Sequence, residues 1–138
     1  MKISTRARYG LRLLVDLAEH SGKDPVKLKD ISQRQGISLN SLRKLIMPLE
    51  SNKIVRSIRG NRGGYLLGKK PEEINLLDIM NLLEGPIDLV DCVHNKNLCQ
   101  ISDTCPTRKI WVEISEKMEQ SLVQKSLKDL MENNEIHN

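Results

Sequence analysis

Three cysteines lie within a short polar segment in the second half of the chain, at Cys92, Cys99 and Cys105. An odd number of thiols cannot all pair within one chain, and a polar loop is a poor place for unrelated core residues. Structural zinc sites usually use closely spaced C-x2-C pairs and four protein ligands, which this segment lacks. An iron–sulfur cluster accepts wider spacing and needs soft thiolates on adaptable backbone. We therefore expect these cysteines to be metal ligands that hold an iron–sulfur cluster.

The charge of the chain is divided unevenly between its two halves. Residues 1–70 contain 16 Lys and Arg against 5 Asp and Glu, whereas residues 71–138 contain 6 against 13. A strongly basic half suits contact with a polyanion, which indicates nucleic acid as the partner of that half. Aromatic residues make up only 2% of the chain, too few for the stacking surfaces that bind single-stranded nucleic acid.

Apolar spacing in the basic half predicts a helix over about 4–20 and then a helix-turn-helix over about 28–51. Gly36 supplies the turn, because glycine tolerates the positive φ that follows a helix, and Ser38 is the expected cap of the second helix. We expect this second helix to enter the major groove of double-stranded DNA. Its predicted DNA-binding residues are Ser38, Asn40, Ser41, Arg43 and Lys44.

A β-hairpin predicted over about 54–67 follows the helix-turn-helix directly, which is the layout of a winged helix. The turn of the hairpin, at residues 60–64, contains three glycines. Basic side chains on such a flexible tip can reach a phosphate or a narrow minor groove. The predicted DNA-binding residues of the wing are Arg59, Asn61, Arg62 and Gly63.

The remaining segments complete a mainly α fold with a small β-hairpin wing. A predicted helix over about 76–84 ends the winged helix-turn-helix domain, which we expect to span residues 1–86. Residues 87–106 show no periodicity and form the predicted cysteine-bearing loop. A long dimerisation helix and a short C-terminal helix are expected over 107–132, followed by a tail over 133–138. The apolar stripe of the dimerisation helix is Trp111, Ile114, Met118 and Leu122.

Several other classes of protein are disfavoured. No apolar run approaches the roughly 20 residues that span a bilayer, and Arg6, Arg8 and Arg12 interrupt any apolar core of a signal peptide. The chain is therefore expected to be cytoplasmic, with reduced thiols and no membrane partner. No carboxylate pair, nucleophile–base pair or phosphate-binding loop is evident, so an enzyme is not expected.

Four segments carry a resemblance to a known family: RYGLR in the first helix, GIS before the second helix of the helix-turn-helix, RGNRGGY at the wing, and LLEGP after the wing. In this combination the chain resembles the IscR/NsrR/RirA/CymR family of winged-helix transcription regulators over residues 1–132. Several branches of that family hold an iron–sulfur cluster on three cysteines between the LLEGP helix and a dimerisation helix, an arrangement that Cys92, Cys99 and Cys105 match. The CymR-like branch lacks these cysteines and answers to a protein partner.

The residues that complete the cluster in two branches of the family are missing here. The IscR branch has a histidine three residues after its last cysteine, where this chain has Arg108. In the NsrR branch, an acidic residue of the partner chain completes the cluster, and the matching residue of this chain is Arg8. The resemblance leaves both 2Fe–2S and 4Fe–4S clusters open, and it leaves the fourth ligand open among His94, Asp103, another residue of the partner chain and a solvent thiol.

Together these patterns predict a homodimeric, DNA-binding transcription regulator, taken as a repressor, that senses iron–sulfur status, redox stress or nitric oxide through a labile iron–sulfur cluster. A two-fold dimer implies a pseudo-palindromic operator. Arg43 and Lys44 stand where IscR-like proteins carry Glu-Gln, which predicts an operator different from theirs. Three alternatives stay open. One is a winged-helix regulator controlled by a protein partner or by thiol oxidation without a cluster. The others are a sensor or adaptor whose winged helix binds protein and whose cysteine loop is empty or holds zinc, and a small electron carrier.

Overall fold

The computed structural model describes the backbone of residues 2–135 and the side chains of residues 2–132. In that range the predicted fold class, mainly α with a β-hairpin wing, is confirmed. No helix in the same range is long and apolar enough to cross a bilayer. Single turns of 3-10 helix occur at Pro71–Glu73, Asp91–Val93 and Lys96–Leu98. The helices and strands are α1 Thr5–His20, α2 Leu28–Gln35, α3 Leu39–Ser51, β1 Val55–Ile58, β2 Gly64–Leu67, α4 Leu76–Leu83, α5 Pro106–Val123 and α6 Leu127–Glu135.

Local sequence signals account for the first three helices. Ser4 caps α1, because its hydroxyl accepts a hydrogen bond from the backbone N–H of Ala7 at 3.1 Å. α2 ends at Gly36, whose φ of 64° is the left-handed conformation that glycine adopts after a helix. Ser38 caps α3 as predicted, since its hydroxyl accepts from the backbone N–H of Ser41 at 3.1 Å. α2 and α3 therefore form the helix-turn-helix expected from the sequence.

The wing is an antiparallel pair of strands in which Val55 lies opposite Leu67. A bridge that the sequence pattern did not predict adds Val26 to the edge of β2. The Val26 N–H donates to Tyr65 O at 2.9 Å, and the Tyr65 N–H donates to Val26 O at 2.7 Å. Because Val26 lies just before α2, these hydrogen bonds fix the wing relative to the helix-turn-helix.

α6 returns to the winged helix instead of extending α5. It packs against α1 and against the Pro71–Glu73 turn, and its Leu127 is fully buried in the core. The Leu127 N–H donates to Ile74 O at 2.9 Å, and the Leu76 N–H donates to Lys125 O at 3.0 Å. The sequence pattern grouped this segment with the dimerisation helix, and in the structure it packs on the winged helix.

The start of α6 is capped, because the Ser126 N–H donates to Asp129 Oδ2 at 2.7 Å. The end of α6 lies beyond the predicted start of the tail at residue 133, since the helix continues to Glu135. The rest of the predicted tail, residues 136–138, lies outside the described residues.

α5 exposes only part of its predicted apolar stripe. Met118 is half-buried, and Leu122 packs against the core of the winged helix. The physical reason is that the end of α5 is held on the body by Asn75, whose side-chain amide donates to Val123 O at 2.6 Å. The exposed large apolar side chains of α5 are Ile110, Trp111, Ile114 and Val123.

Candidate nucleic-acid interface and cysteine loop

α3 has one apolar face in the core and one exposed face. The buried side chains are Leu42, Leu45, Ile46 and Leu49. On the opposite side, residues at i, i+3, i+4 and i+7 are exposed and form a continuous row that an α-helix can place in a major groove. This row, called the α3 stripe, consists of Asn40, Arg43, Lys44 and Met47.

The residues predicted to read DNA from α3 fall into two groups. Asn40, Arg43 and Lys44 are exposed on the α3 stripe, where side chains can reach base edges. Ser38 and Ser41 are bonded to each other, since the Ser38 hydroxyl donates to Ser41 Oγ at 2.7 Å and accepts the Ser41 N–H. These two serines stabilise the N-terminus of the helix that carries the other three.

The tip of the wing presents three of its four predicted DNA-binding residues to solvent: Arg59, Asn61 and Arg62. Gly63, the fourth, is buried, and a Cβ at this position would lie 2.3 Å from Ile58 O. Its N–H donates to Gly60 O at 2.9 Å and closes the turn. Close packing of the backbone explains why a glycine stands at this position, and contact of Gly63 with DNA stays a prediction.

The cations of the α3 stripe and of the wing are available to a polyanion. Within the part of the chain that the structure describes, none of Arg43, Lys44, Arg59 and Arg62 forms an ion pair with a carboxylate. A phosphate can therefore displace small counterions from these side chains without breaking a bond inside the protein.

A buried carboxylate fixes α2 against α1. Asp16 is 1% exposed and accepts hydrogen bonds from Arg34 Nη2 at 2.7 Å and from Gln35 Nε2 at 2.8 Å. Burial alone raises the pKa of Asp16, but the hydrogen bonds from Arg34 and Gln35 and the charge of Arg34 outweigh burial, so the pKa lies below its ordinary value. Arg12 extends the network, since its Nε donates to Gln35 Oε1 at 3.2 Å. The helix-turn-helix is thus held on α1 by charged hydrogen bonds.

Two grooves beside the α3 stripe and the wing contain basic residues that the sequence pattern did not assign to DNA. A groove of about 250 Å³ between α1 and α3 is lined by Thr5, Arg6, Tyr9, Ser41, Lys44 and Leu45. A second groove brings Lys27 and Lys29 beside Asn61 and Arg62 of the wing. The sequence shows that these lysines and Arg6 belong to the basic half, but their place next to the other cations depends on contacts between elements.

The three predicted metal ligands lie on one irregular segment. Cys92 lies in the Asp91–Val93 turn, Cys105 immediately precedes α5, and Cys99 is exposed between them. All three are free thiols. Among residues 2–132, no three His, Cys, Asp or Glu side chains are grouped closely enough to hold a metal ion. The loop therefore contains the donor atoms for a cluster but does not gather them in this conformation.

Arg108 ties the cysteine loop to α5. Its Nε donates to Cys92 O at 2.9 Å, and its Nη2 donates to Val93 O at 3.0 Å. At the start of the same helix, the Cys105 thiol lies 3.2 Å from Thr107 Oγ1. This hydrogen bond, followed by those from the backbone N–H groups of Arg108 and Thr107, lowers the pKa of Cys105. The start of α5 thus favours the thiolate, which is the form that binds metal.

The two side chains considered as a fourth ligand, His94 and Asp103, both have ionic neighbours. His94 Nδ1 contacts Asp88 Oδ1, and His94 Nε2 lies 4.0 Å from Glu119 Oε1. Asp103 Oδ1 lies 3.7 Å from Lys96 Nζ. Neither belongs to a group of three metal-binding side chains in the described part of the chain, so the structure selects neither of them as the fourth ligand.

Comparison with known proteins gives one family. Residues 3–133 match the Rrf2 family, described as an iron-dependent transcriptional regulator. The HTH-type transcriptional regulator IscR of Xenorhabdus nematophila is 38% identical over 136 residues, which are 99% of this chain and 82% of that protein. The structure of CymR (YrzC), the global cysteine regulator of B. subtilis, matches with a TM-score of 0.81 at 36% identity and covers 96% of this chain and 98% of its own. T. potens IscR matches with a TM-score of 0.79 at 33% identity, over 97% of this chain and 88% of that one.

The similar proteins are transcriptional regulators, which confirms both the resemblance found in the sequence and the expectation that the chain is not an enzyme. The match extends through the winged helix and the cysteine loop to α6. The chain belongs to the Rrf2 family of DNA-binding transcription regulators.

Proposed function

We propose that this protein is a repressor that reads double-stranded DNA with the α3 stripe in the major groove and with the wing on the adjacent backbone. The observation that carries the proposal is the α3 stripe itself, whose polar and cationic members are exposed and whose cations are unpaired in the described structure. Amide and guanidinium groups in this position can pair with base edges. Arg59 and Arg62 supply the phosphate or minor-groove contacts that set the register.

The proposed regulator is a homodimer. Ile110, Trp111 and Ile114 form an apolar patch on the first half of α5, and Trp111 is 37% exposed. A second copy related by two-fold symmetry would cover this patch and would display a second α3 stripe. The operator is then expected to be pseudo-palindromic, with half-sites about one helical turn apart.

The cysteine loop is the proposed sensing element. Three free thiols on irregular backbone are the donor set that an iron–sulfur cluster requires, and the lowered pKa of Cys105 favours its thiolate. Because the thiols are not grouped in the described conformation, the loop must draw them together to bind a cluster. A bound 2Fe–2S or 4Fe–4S cluster would supply a group that responds to oxygen, nitric oxide or iron supply.

The position of the loop suits a switch. The loop joins α4, whose apolar face lies in the winged-helix core, to α5, which carries the apolar patch. Arg108 couples its first turn to α5 through the carbonyls of Cys92 and Val93. A change of loop conformation would therefore act on the helix that sets the distance between the two α3 stripes.

The test compares DNA binding by anaerobically purified protein with binding by the same protein after chelation of its metal. The DNA is a duplex selected by the protein from a random-sequence pool. We expect a visible chromophore with iron and sulfide, salt-dependent binding of the selected duplex, and affinities that differ about tenfold between the two forms. Failure to select any duplex would refute DNA reading. Equal affinity of the two forms would refute the cluster switch.

Variants of the loop separate the sensing role from folding. Cys99→Ala removes one exposed thiol and should abolish the chromophore while leaving a folded protein, because Cys99 contributes nothing to the core. Gln100→Ala is the matched control, since it changes the adjacent exposed residue and keeps all three thiols. A chromophore that survives in Cys99→Ala would exclude this residue as a ligand.

A regulator controlled by thiol oxidation without a cluster is the second candidate. The separation of the thiols and the lowered pKa of Cys105 favour it. This alternative predicts a protein that purifies without iron and sulfide and whose DNA affinity changes on treatment with peroxide. Cys105→Ser should then remove the peroxide response, whereas in the cluster mechanism it should remove the chromophore.

A further inference from the structure

Met47 is the most exposed large apolar side chain among the described residues, with 65% of its surface accessible. It ends the α3 stripe, one helical turn after Arg43 and Lys44. It also lines the groove between α3 and the wing, where Tyr65 forms part of the wall. Nothing in the winged-helix core covers this thioether, so folding of the single chain does not account for its position.

We propose that Met47 contacts the C5 methyl group of a thymine in each half-site of the operator. The inference rests on the proposed function, since it requires α3 to lie in the major groove. Thymine presents an apolar group in that groove, and contact with this methyl distinguishes it from the other bases. The unbranched, polarisable thioether of methionine can adapt to the exact position of such a group.

The charges around Met47 favour DNA over another protein as the partner of this surface. Arg43, Lys27 and Lys29 line the same groove, so a polyanion is drawn to the surface that carries the thioether. Glu50 is the acidic residue of the groove, and it accepts a hydrogen bond from Ser57 Oγ at 2.7 Å. An apolar protein surface seated on Met47 would instead remove several unpaired cations from water, which is costly.

The spacing along α3 predicts where the thymine lies. Met47 follows Arg43 by four residues, which corresponds to about 6 Å along a helix axis. Base pairs are about 3.4 Å apart, so the thymine should lie roughly two base pairs from the base that Arg43 reads. Met47 is therefore expected to recognise thymine at one defined position of each half-site, which is more specific than a general preference for A·T pairs.

The test replaces thymine by deoxyuridine, which lacks the C5 methyl but keeps every hydrogen-bonding group. The selected operator is resynthesised with one thymine replaced at a time, and affinity is measured by fluorescence anisotropy at fixed salt. For the unmodified protein, one position in each half-site should lose about threefold to fivefold in affinity, as expected for one methyl-sized apolar contact. In Met47→Ala that position should become insensitive to the replacement, whereas Met47→Leu should keep the sensitivity.

Val123→Ala is the matched control, because it removes a half-exposed apolar side chain from α5 and should leave the deoxyuridine profile unchanged. Met47→Ala should keep the thermal midpoint of the unmodified protein, since the side chain is not in the core.

A deoxyuridine profile that is flat for the unmodified protein, or one that is the same in Met47→Ala, overturns the proposal. A change of oligomeric state in Met47→Ala with an unchanged profile would assign Met47 to a protein contact and also overturn it. Failure to select any duplex is a different outcome, which refutes the proposed function.

Discussion

Replacement of Asp16 by asparagine keeps the size of the side chain and removes the negative charge that holds α2 on α1. The carboxylate is buried and is bound by both ends of one guanidinium fork, at 2.7 Å from Arg34 Nη2 and at 3.1 Å from Arg34 Nε. In asparagine, one of the two carboxylate oxygens is replaced by an amide NH2 group. This group is itself a donor and cannot accept a hydrogen bond from Arg34. Hydrogen bonds to a charged group contribute about 1.5–3 kcal/mol each, but Arg34 is 34% exposed and regains part of its hydration. We therefore expect Asp16→Asn to lower the free energy of unfolding by about 2–3 kcal/mol.

The effect of Asp16→Asn should depend on pH with a definite sign. Burial raises the pKa of Asp16, but the hydrogen bonds from Arg34 and Gln35 hold it below its ordinary value of 3.8. A carboxylate whose folded-state pKa is depressed stabilises the protein fully above its unfolded-state pKa, and this stabilisation disappears as the pH falls through the folded-state pKa. The difference in stability between the two proteins should thus be constant near neutral pH and should shrink on acidification below about pH 4.

The assay is urea denaturation followed by circular dichroism at neutral pH and at a series of acid pH values. Glu113→Gln is the control, because it removes a carboxylate from an exposed ion pair with Lys117 at 2.6 Å and should change stability little. If Asp16→Asn is as stable as the unmodified protein at neutral pH, or if the difference persists in acid, the charged network does not hold the helix-turn-helix on α1.

Three further predictions concern the interfaces. Arg62→Ala should weaken binding to selected and random duplexes alike. The slope of log affinity against log salt concentration, the salt slope, should fall by about 0.9 for each phosphate that the protein no longer neutralises. Arg43→Ala should instead lose about 1–3 kcal/mol of discrimination at particular base pairs. Anisotropy titrations over a salt series measure both effects, and no change in either variant would contradict the assignment of DNA contacts. Arg6→Ala should also lower the salt slope, because Arg6 shares a groove with Lys44, while Lys109→Ala on exposed α5 should leave the slope unaltered. Ile114→Glu should convert the dimer to a monomer in sedimentation at micromolar concentration, and a dimer of unchanged strength would place the interface elsewhere.

The winged helix could be predicted from the sequence because its signals are local. Apolar spacing, Gly36 and Ser38 defined α2 and α3 closely, since caps and helical periodicity act within a few residues. The strands of the wing were also predictable, because alternating residues flank a glycine-rich turn. The candidate DNA-reading residues on α3 followed from the same periodicity, which separates the exposed face from the core.

The parts that sequence reasoning missed depend on contacts between distant residues. The burial of Leu127 and the bridge from Val26 to the wing arise only when elements far apart in sequence meet. The sequence drew attention to Arg108 only because the IscR branch has a histidine at that position. In the structure its guanidinium donates to two carbonyls of the loop. Met47 directly follows the buried residues Leu45 and Ile46, so nothing in the sequence indicated that its side chain is exposed. The conformation of the cysteine loop has no periodic pattern that could have predicted it.

Residues 84–126, which include the cysteine loop and α5, join the winged-helix body at both ends. The chain leaves the core after Leu83, and it returns where Asn75 binds Val123 O and where Leu127 is buried. In the described structure, every fully buried member of the core cluster lies outside residues 84–126. This segment is therefore an excursion from a body whose fully buried core residues all lie outside it, and its Leu122 packs against that core. If residues 84–126 are replaced by the equivalent segment of a relative, the chimera should respond to the signal that the relative senses. The operator that the chimera binds should still be determined by α3.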